Sequence, residues 1–344
     1  MENFTHIVVF GDSGADIGKV HKISGGKSPL PGNYKGRYSN GPLWCDILAK
    51  KHKLKHINYA HGNATINNEI VSGLVPYSPK KSQTSDVSSS LNELDTTKEQ
   101  ELVEVPCVKQ QILKYTKFYN KNNSYRDLTL YVIFAGTNDV TAPVHSKMYN
   151  IKEPFDLKRI ANETSKCVRL LLDKCDAKYI VVFNLRPRED FPGFIKMYND
   201  KQRDDLREET LEYNKELKKA LTSLSSESER QNVWVYDIYK RLKNMKKNAS
   251  MYGLVEPVEI CELDFRRMYK REEIKLDYYM AETKKDSENI RPGPPELDGI
   301  TLRNEENRRF MWWDYFHLAK YSQETVANDI EAIVDLGFGS KSRL

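Results

Sequence analysis

Short apolar runs alternate with longer amphipathic stretches along most of this chain. Five of the runs are rich in β-branched or aromatic residues and read as buried parallel strands: Thr5–Phe10, Lys55–Tyr59, Thr129–Ala135, Tyr179–Asn184 and Asn232–Tyr236. Between and after them, Pro42–Lys53, Val105–Asn120, Leu157–Asp173, Asp204–Leu224 and Ala319–Leu336 have helical spacing, the last followed by Gly337 as a C-cap. Strand and helix in alternation predict an α/β fold, a doubly wound sheet with helices on both faces. Ligands of such sheets gather beyond the carboxyl ends of the strands. Two stretches break the rhythm. Tyr77–Glu101 is polar and rich in Ser and Thr, and reads as a disordered loop. Asn244–Arg309 is long and charged, with a Pro-Gly-Pro-Pro turn at 292–295, and either covers the rim of a site or is solvated padding. The expectation is a single domain over residues 1–344 with insertions at 77–101 and about 262–309.

Composition narrows the class. The 344 residues are 39% hydrophobic and 30% charged, enough for a normal core under charged decoration. The net charge of +5 is spread over 54 basic and 49 acidic residues, without a basic stripe interleaved with aromatics, which argues against nucleic acid as a partner. No apolar run approaches the roughly 18–20 residues of a membrane span. Cys45, Cys107, Cys167, Cys175 and Cys261 form no CxxC pair and read as reduced thiols, not as a zinc ribbon or a disulfide scaffold. The N-terminus enters a strand without a charged leader, so no signal peptide is expected. Ser342-Arg343-Leu344 is a conservative variant of the Ser-Lys-Leu address. It predicts peroxisomal localisation through the import receptor, with the cytoplasm as the alternative and secretion excluded.

The chemistry begins at IVVFGDSGADIG, residues 7–18, where an apolar run stops at Gly-Asp-Ser-Gly. A serine in a Gly-flanked turn after a strand has its hydroxyl pushed out at the sheet edge, with a helix N-terminus able to place free N–H groups beside it. A Walker phosphate loop fails here, because Ser13 stands where its first Gly belongs and Val20 where its Ser/Thr belongs. A chymotrypsin-like protease fails too, since that order needs His and Asp well upstream of Ser, only twelve residues precede Ser13, and the apparent architecture is α/β. An esterase with an early Ser and a late Asp and His fits. Asp314 and His317 in WWDYFH lie three positions apart, so one segment can supply a general base and the carboxylate that orients it. An acyl-transfer site also needs donors for the oxyanion. Asn138 of FAGTNDV offers a side-chain amide at the end of the third strand, and the glycine turn of NYAHGNAT offers a backbone N–H at the end of the second.

These blocks resemble those of the GDSL esterase/lipase family of the SGNH hydrolase superfamily, in its eukaryotic acetylesterase-like branch. FGDSGADIG is similar to the first block, FAGTND to the Gly-x-Asn-Asp block and WWDYFH to the last. GRYSNGPLW (36–44), VPCVKQQI (105–112) and VVFNLRP (181–187) resemble stretches between them. The likeness covers most of the chain and leaves 77–101 and about 262–309 without counterpart. It implies a three-layer α/β/α fold on a mostly parallel, five-stranded, flavodoxin-like sheet. It implies a serine esterase that passes through an acyl-enzyme and needs no metal or cofactor. Ser13 would be the nucleophile, His317 the base and Asp314 its orienting carboxylate. Ser13, Gly62, Asn63 and Asn138 would form the oxyanion hole, and Asp12, Gly136 and Asp139 would brace it.

One position departs from the pattern. The second block usually reads Gly-Gly-Ala-Thr, and here it is Gly62-Asn63-Ala64-Thr65. A backbone donor survives any side chain whose φ is allowed, and Asn tolerates left-handed geometry. The Asn63 side chain is expected either to narrow the site or to add its own amide. Asn63-Ala64-Thr65 is also a glycosylation sequon, and a glycan there would obstruct the site. The expected substrate is a small-molecule ester, acetyl by the resemblance. A peroxisomal lipase or acyl-CoA thioesterase is the alternative, and a catalytically weak ester- or carbohydrate-binding relative the second.

Overall fold

The computed structural model describes residues 1, 4–29, 33–77, 101–119, 128–226, 232–254, 256–260 and 309–339. In chain order these give β1 (His6–Gly11), α1 (Lys19–Ile23), α2 (Trp44–Lys51), β2 (Lys55–Asn58), β3 (Val71–Pro76), β4 (Leu102–Glu104), α3 (Val108–Phe118), β5 (Thr129–Phe134), α4 (Thr137–Thr141) and β6 (Tyr149–Ile151). There follow α5 (Leu157–Cys175), β7 (Tyr179–Phe183), α6 (Pro192–Met197), α7 (Asp200–Ser226), β8 (Asn232–Tyr236), α8 (Ile238–Lys247), β9 (Glu256–Ile260), β10 (Phe310–Trp312) and α9 (Lys320–Gly339). Most of the 77–101 insertion, nearly all of the 262–309 insertion, Cys261 and the Ser342-Arg343-Leu344 tripeptide lie outside the described residues.

The main sheet has the order β2-β1-β5-β7-β8 and every pairing in it is parallel. Along the chain that is the order 2-1-3-4-5 of a flavodoxin-like sheet, as expected. Alternation within each strand divides the core between its faces. Ile7, Val9, Leu130, Val132, Val181 and Phe183 pack with Trp44 and Leu48 of α2, Ile238 and Leu242 of α8, and Ile330 and Val334 of α9. Val8, Phe10, Tyr131, Ile133, Ile180 and Val182 face Ile112 of α3, Val168 and Leu171 of α5, and Leu217 and Leu221 of α7. This is the three-layer arrangement that the apolar pattern implied.

Differences from the sequence reading have local causes. Helix α7 begins at Asp200, before the expected Asp204, because Asn199 and Gln202 cap it reciprocally: the Gln202 N–H donates to Asn199 Oδ1 (2.9 Å) and the Asn199 N–H to Gln202 Oε1 (3.1 Å). Gly337 is not a C-cap. Helix α9 runs through it to Gly339, and a β carbon at 337 would run into the Trp234 indole, so the position is glycine for packing. Asn244–Arg309 is not uniformly irregular, since it holds the end of α8 and the strand β9, which pairs in parallel with β10. The polar stretch after β3 begins and ends on a ladder, with the Tyr77 N–H donating to the Glu101 carbonyl (2.8 Å).

A second, antiparallel sheet of order β4-β3-β6 was not foreseen. It lies beside the glycine turn that follows β2, since the Val105 N–H reaches the Gly73 carbonyl (3.0 Å) and Thr65 Oγ1 donates to the Val71 carbonyl (2.6 Å).

Candidate functional site

Strands β1 and β5 run in register from His6 against Thr129 to Gly11 against Phe134. Residues just past Gly11 and Phe134 therefore emerge together, at the point where the strand order reverses. The Asp12 N–H donates to the Phe134 carbonyl (3.0 Å), and Asp12 Oδ1 accepts the Gly14 N–H (2.9 Å), which closes a tight turn around Ser13. Gly14 has no room for a side chain, because the Phe134 ring occupies the place a β carbon would take. Gln111 of α3 holds the strand end, accepting the Gly11 N–H (2.9 Å) and donating to the Gly11 carbonyl (3.0 Å). The VPCVKQQI stretch thus acts on the turn from outside it.

The last loop brings the other partners. Ser13 Oγ lies 2.9 Å from His317 Nε2, and His317 Nδ1 lies 2.9 Å and 2.8 Å from the two carboxylate oxygens of Asp314. Asp314 Oδ1 also accepts the N–H groups of Phe316 and His317, both at 2.8 Å. Burial alone would raise the Asp314 pKa. The charge of His317 and the hydrogen bonds from its ring and from these N–H groups outweigh burial and hold it below the ordinary carboxylate value. Ser13 and His317 are 6% and 8% exposed, so the pair is shielded but reachable. Segment 36–41 fixes the loop. Ser39 Oγ donates to the Leu318 carbonyl (3.1 Å), the Lys320 N–H donates to Asn40 Oδ1 (2.8 Å), and the Tyr38 ring lies 4.8 Å from the His317 ring.

The candidate oxyanion donors sort differently from the sequence reading. The Gly62 N–H is not free: it donates to Asp16 Oδ2 (2.8 Å), a carboxylate that also accepts the N–H groups of Gly18, Lys19 and Val20. Gly62 is therefore a brace and not a donor. Asn63 has φ 59°, the left-handed conformation, and among the described residues no acceptor takes its backbone N–H. Its side chain neither narrows the site nor adds an amide to it, because Nδ2 donates to the Leu74 carbonyl on β3 (2.8 Å). Asn138 opens α4 after Gly136, whose φ of 110° suits glycine. Its Nδ2 donates to the Ala64 carbonyl (2.9 Å), which leaves one amide hydrogen uncommitted among the described residues. Asp139 accepts the Ile66 N–H at 3.0 and 3.1 Å and so ties α4 to the second block. Burial, opposed by that N–H and reinforced by the charge of Asp12, pushes its carboxyl up to about 8.

Sequence reasoning missed Arg186, Asp16, Gln111 and Tyr149. Arg186 follows β7 in the VVFNLRP stretch and is 4% exposed. Its Nη1 donates to the Phe316 carbonyl (2.8 Å), and its guanidinium lies over the Phe191 and Phe134 rings at 5.0 and 5.7 Å. Burial raises the Asp12 pKa, and the charge of Arg186 opposes the rise. An Arg after a strand gave no signal, because its hydrogen-bond partner is a backbone carbonyl 130 positions away and its other neighbours are aromatic rings. Among the described residues no group of three or more His, Cys, Asp or Glu side chains is placed to hold a metal ion, and no helix is long and apolar enough to cross a membrane. Cys45, Cys107, Cys167 and Cys175 are buried and form no disulfide among the described residues.

A hydroxyl hydrogen-bonded to an imidazole that a carboxylate orients can attack a carbonyl, and N–H donors facing the oxygen would stabilise the resulting alkoxide. Comparison with known proteins points the same way. The family profile described as GDSL-like Lipase/Acylhydrolase matches residues 7–330. A phosphatidylcholine-sterol acyltransferase of Aeromonas hydrophila is 29% identical over 185 residues, covering 53% of this chain and 44% of its own length. A GDSL esterase/lipase of Arabidopsis thaliana is 25% identical over 353 residues, covering 95% of this chain and 87% of its own length. The thermolabile hemolysin of Vibrio parahaemolyticus is 22% identical over 268 residues, covering 77% and 53%. The chain thus spans less than half the length of the Aeromonas relative that it matches.

Proposed function

The chain belongs to the GDSL-like lipase/acylhydrolase family of ester-bond hydrolases, and on that footing we propose that Ser13, His317 and Asp314 form its catalytic triad. In this reading Ser13 Oγ attacks the ester carbonyl while His317 Nε2 takes its proton. The oxyanion that forms is held by the N–H groups of Ser13 and Asn63 and by the Asn138 amide. As the intermediate collapses, His317 returns the proton to the leaving alkoxide and the acyl group stays on Ser13. Water then attacks the acyl-enzyme with His317 again as base, releasing the carboxylic acid and restoring Ser13. Asp314 keeps the proton of the neutral imidazole on Nδ1 and stabilises the imidazolium.

The observation that supports this reading is the Ser13–His317–Asp314 chain of hydrogen bonds, at 2.9 Å and 2.8 Å, assembled across 304 positions. For the substrate we propose a carboxylic ester with a short acyl group such as acetyl. The Aeromonas acyltransferase supports a second reading, in which a longer acyl group is taken from a lipid and an alcohol replaces water as acceptor. Fluorophosphonate labelling of the wild type beside Ser13→Ala and His317→Ala tests the triad: label on the wild type alone is expected, and an unlabelled, folded wild type refutes it. A p-nitrophenyl ester series from acetyl to palmitoyl, with and without an added alcohol, then chooses between the two substrates.

A further inference from the structure

Two side chains tie the candidate oxyanion loops to the antiparallel sheet, and they engage different strands of it. From the loop after β2, Asn63 Nδ2 donates to the Leu74 carbonyl of β3; from β6, the Tyr149 hydroxyl donates to Asn138 Oδ1 (2.8 Å). Tyr149 is 9% exposed, on a strand that pairs with β3 through Gly73, Ser72 and Val71. We infer that Tyr149 is a positioning residue of the esterase reaction, fixing and polarising the Asn138 amide so that its uncommitted N–H faces the developing oxyanion. The inference rests on the reading of Asn138 as an oxyanion donor.

The physical case has three steps. An Asn amide is nearly symmetric in shape, so only its partners decide which end is nitrogen. Here one partner is the Ala64 carbonyl, which can only accept, and so it takes Nδ2 and places Oδ1 toward Tyr149. With Oδ1 facing it, the Tyr149 hydroxyl must donate, and both ends of the amide are then satisfied with one N–H left over. Without the hydroxyl, Oδ1 would be a half-buried acceptor without that partner, which costs free energy that rotation of the amide would relieve. Accepting a hydrogen bond at Oδ1 also withdraws charge from Nδ2 and strengthens the remaining N–H as a donor, the cooperative effect of chained hydrogen bonds. Burial raises the Tyr149 pKa further, so the hydroxyl keeps the proton it donates across the working pH range. Pro76 to Val71 of β3 and Tyr149 of β6 are thus part of the site's support, although no residue of this sheet needs to touch substrate.

The test is a double-mutant cycle of Tyr149→Phe and Asn138→Ala on a p-nitrophenyl ester, with fluorophosphonate labelling of each variant. Tyr149→Phe alone is expected to lower kcat about 10-fold with KM changed less than twofold, part of the roughly 10²–10³-fold that loss of a whole oxyanion donor costs. In the Asn138→Ala background, Tyr149→Phe is expected to have no further effect on kcat. Equal effects in both backgrounds, or an unchanged kcat in the single variant, would overturn the inference and make Tyr149 a packing residue. A variant whose thermal midpoint collapses is replaced by Tyr149→Leu, which also removes the donor while keeping apolar bulk, and the same two outcomes decide. An unlabelled wild type would instead refute the triad reading itself, so the two failures are distinct.

Discussion

Asn63 Nδ2 sits 2.8 Å from the Leu74 carbonyl, so the side chain that stands where the resembled pattern has glycine is bound to a neighbouring strand. The hydrogen bond helps hold a non-glycine residue at φ 59°, and in the proposed function its backbone N–H takes the place of the glycine's.

Asn63→Gly is therefore expected to keep kcat within about threefold of the wild type, losing one hydrogen bond worth roughly 1 kcal/mol of stability. Asn63→Val forces a β-branched residue into left-handed geometry. That costs a further 1–2 kcal/mol or so, read by urea unfolding, and kcat falls with it. Equal stability of the two variants would show that the backbone is not under that constraint.

Asp314→Asn leaves the shape of the loop but reverses a hydrogen bond. Oδ1 of the new amide can keep the Phe316 and His317 N–H groups, while its NH₂ then faces His317 Nδ1 and drives the ring proton to Nε2. The imidazole can no longer accept from Ser13. A loss of about 10²–10⁴-fold in kcat is expected, with the fold intact by circular dichroism.

Asp139 carries a pH signature. Its folded-state value of about 8 lies above that of an unfolded aspartate, so between roughly pH 4 and 8 the folded chain binds the extra proton. Its contribution to stability is complete below pH 4 and is lost as pH rises towards 8. Asp139→Asn removes that dependence. The difference in unfolding midpoint between variant and wild type should shift in favour of the variant from pH 5 to pH 9, and a difference flat across that range would contradict the assignment.

Arg186→Met removes the donor to the Phe316 carbonyl and the charge that opposes the upward shift of Asp12. The loop carrying His317 loses an anchor. Destabilisation of about 1–3 kcal/mol is expected, with kcat reduced more than KM, as paired urea and steady-state measurements would show.

Much of this was legible in the sequence because the site sits where the pattern is strongest. The strands before Ser13 and Asn138 are continuous apolar runs, every residue of β5 is buried, and each run ends in polar groups that a core strand cannot hold. The antiparallel sheet was not legible. Strands of three residues such as Leu102–Glu104 and Tyr149–Ile151 are too short to show alternation, and their outward faces are mostly exposed. Tyr149 alone carries no motif, since its meaning comes from Asn138 eleven positions earlier. Gly62 was misread because the Asp16 carboxylate that takes its N–H lies 46 positions away.

The 304 positions between Ser13 and His317 also set an order in time. In the proposed triad His317 is made 304 positions after Ser13, so a nascent chain carries Ser13 unactivated across that span. Ile330 and Val334 of α9, the helix that follows the His317 loop, share a core with Ile7 and Val9 of β1 and Leu130 and Val132 of β5. If the proposed triad is right, esterase turnover also reports that the C-terminal layer has docked, and its recovery during refolding is expected to follow that long-range contact.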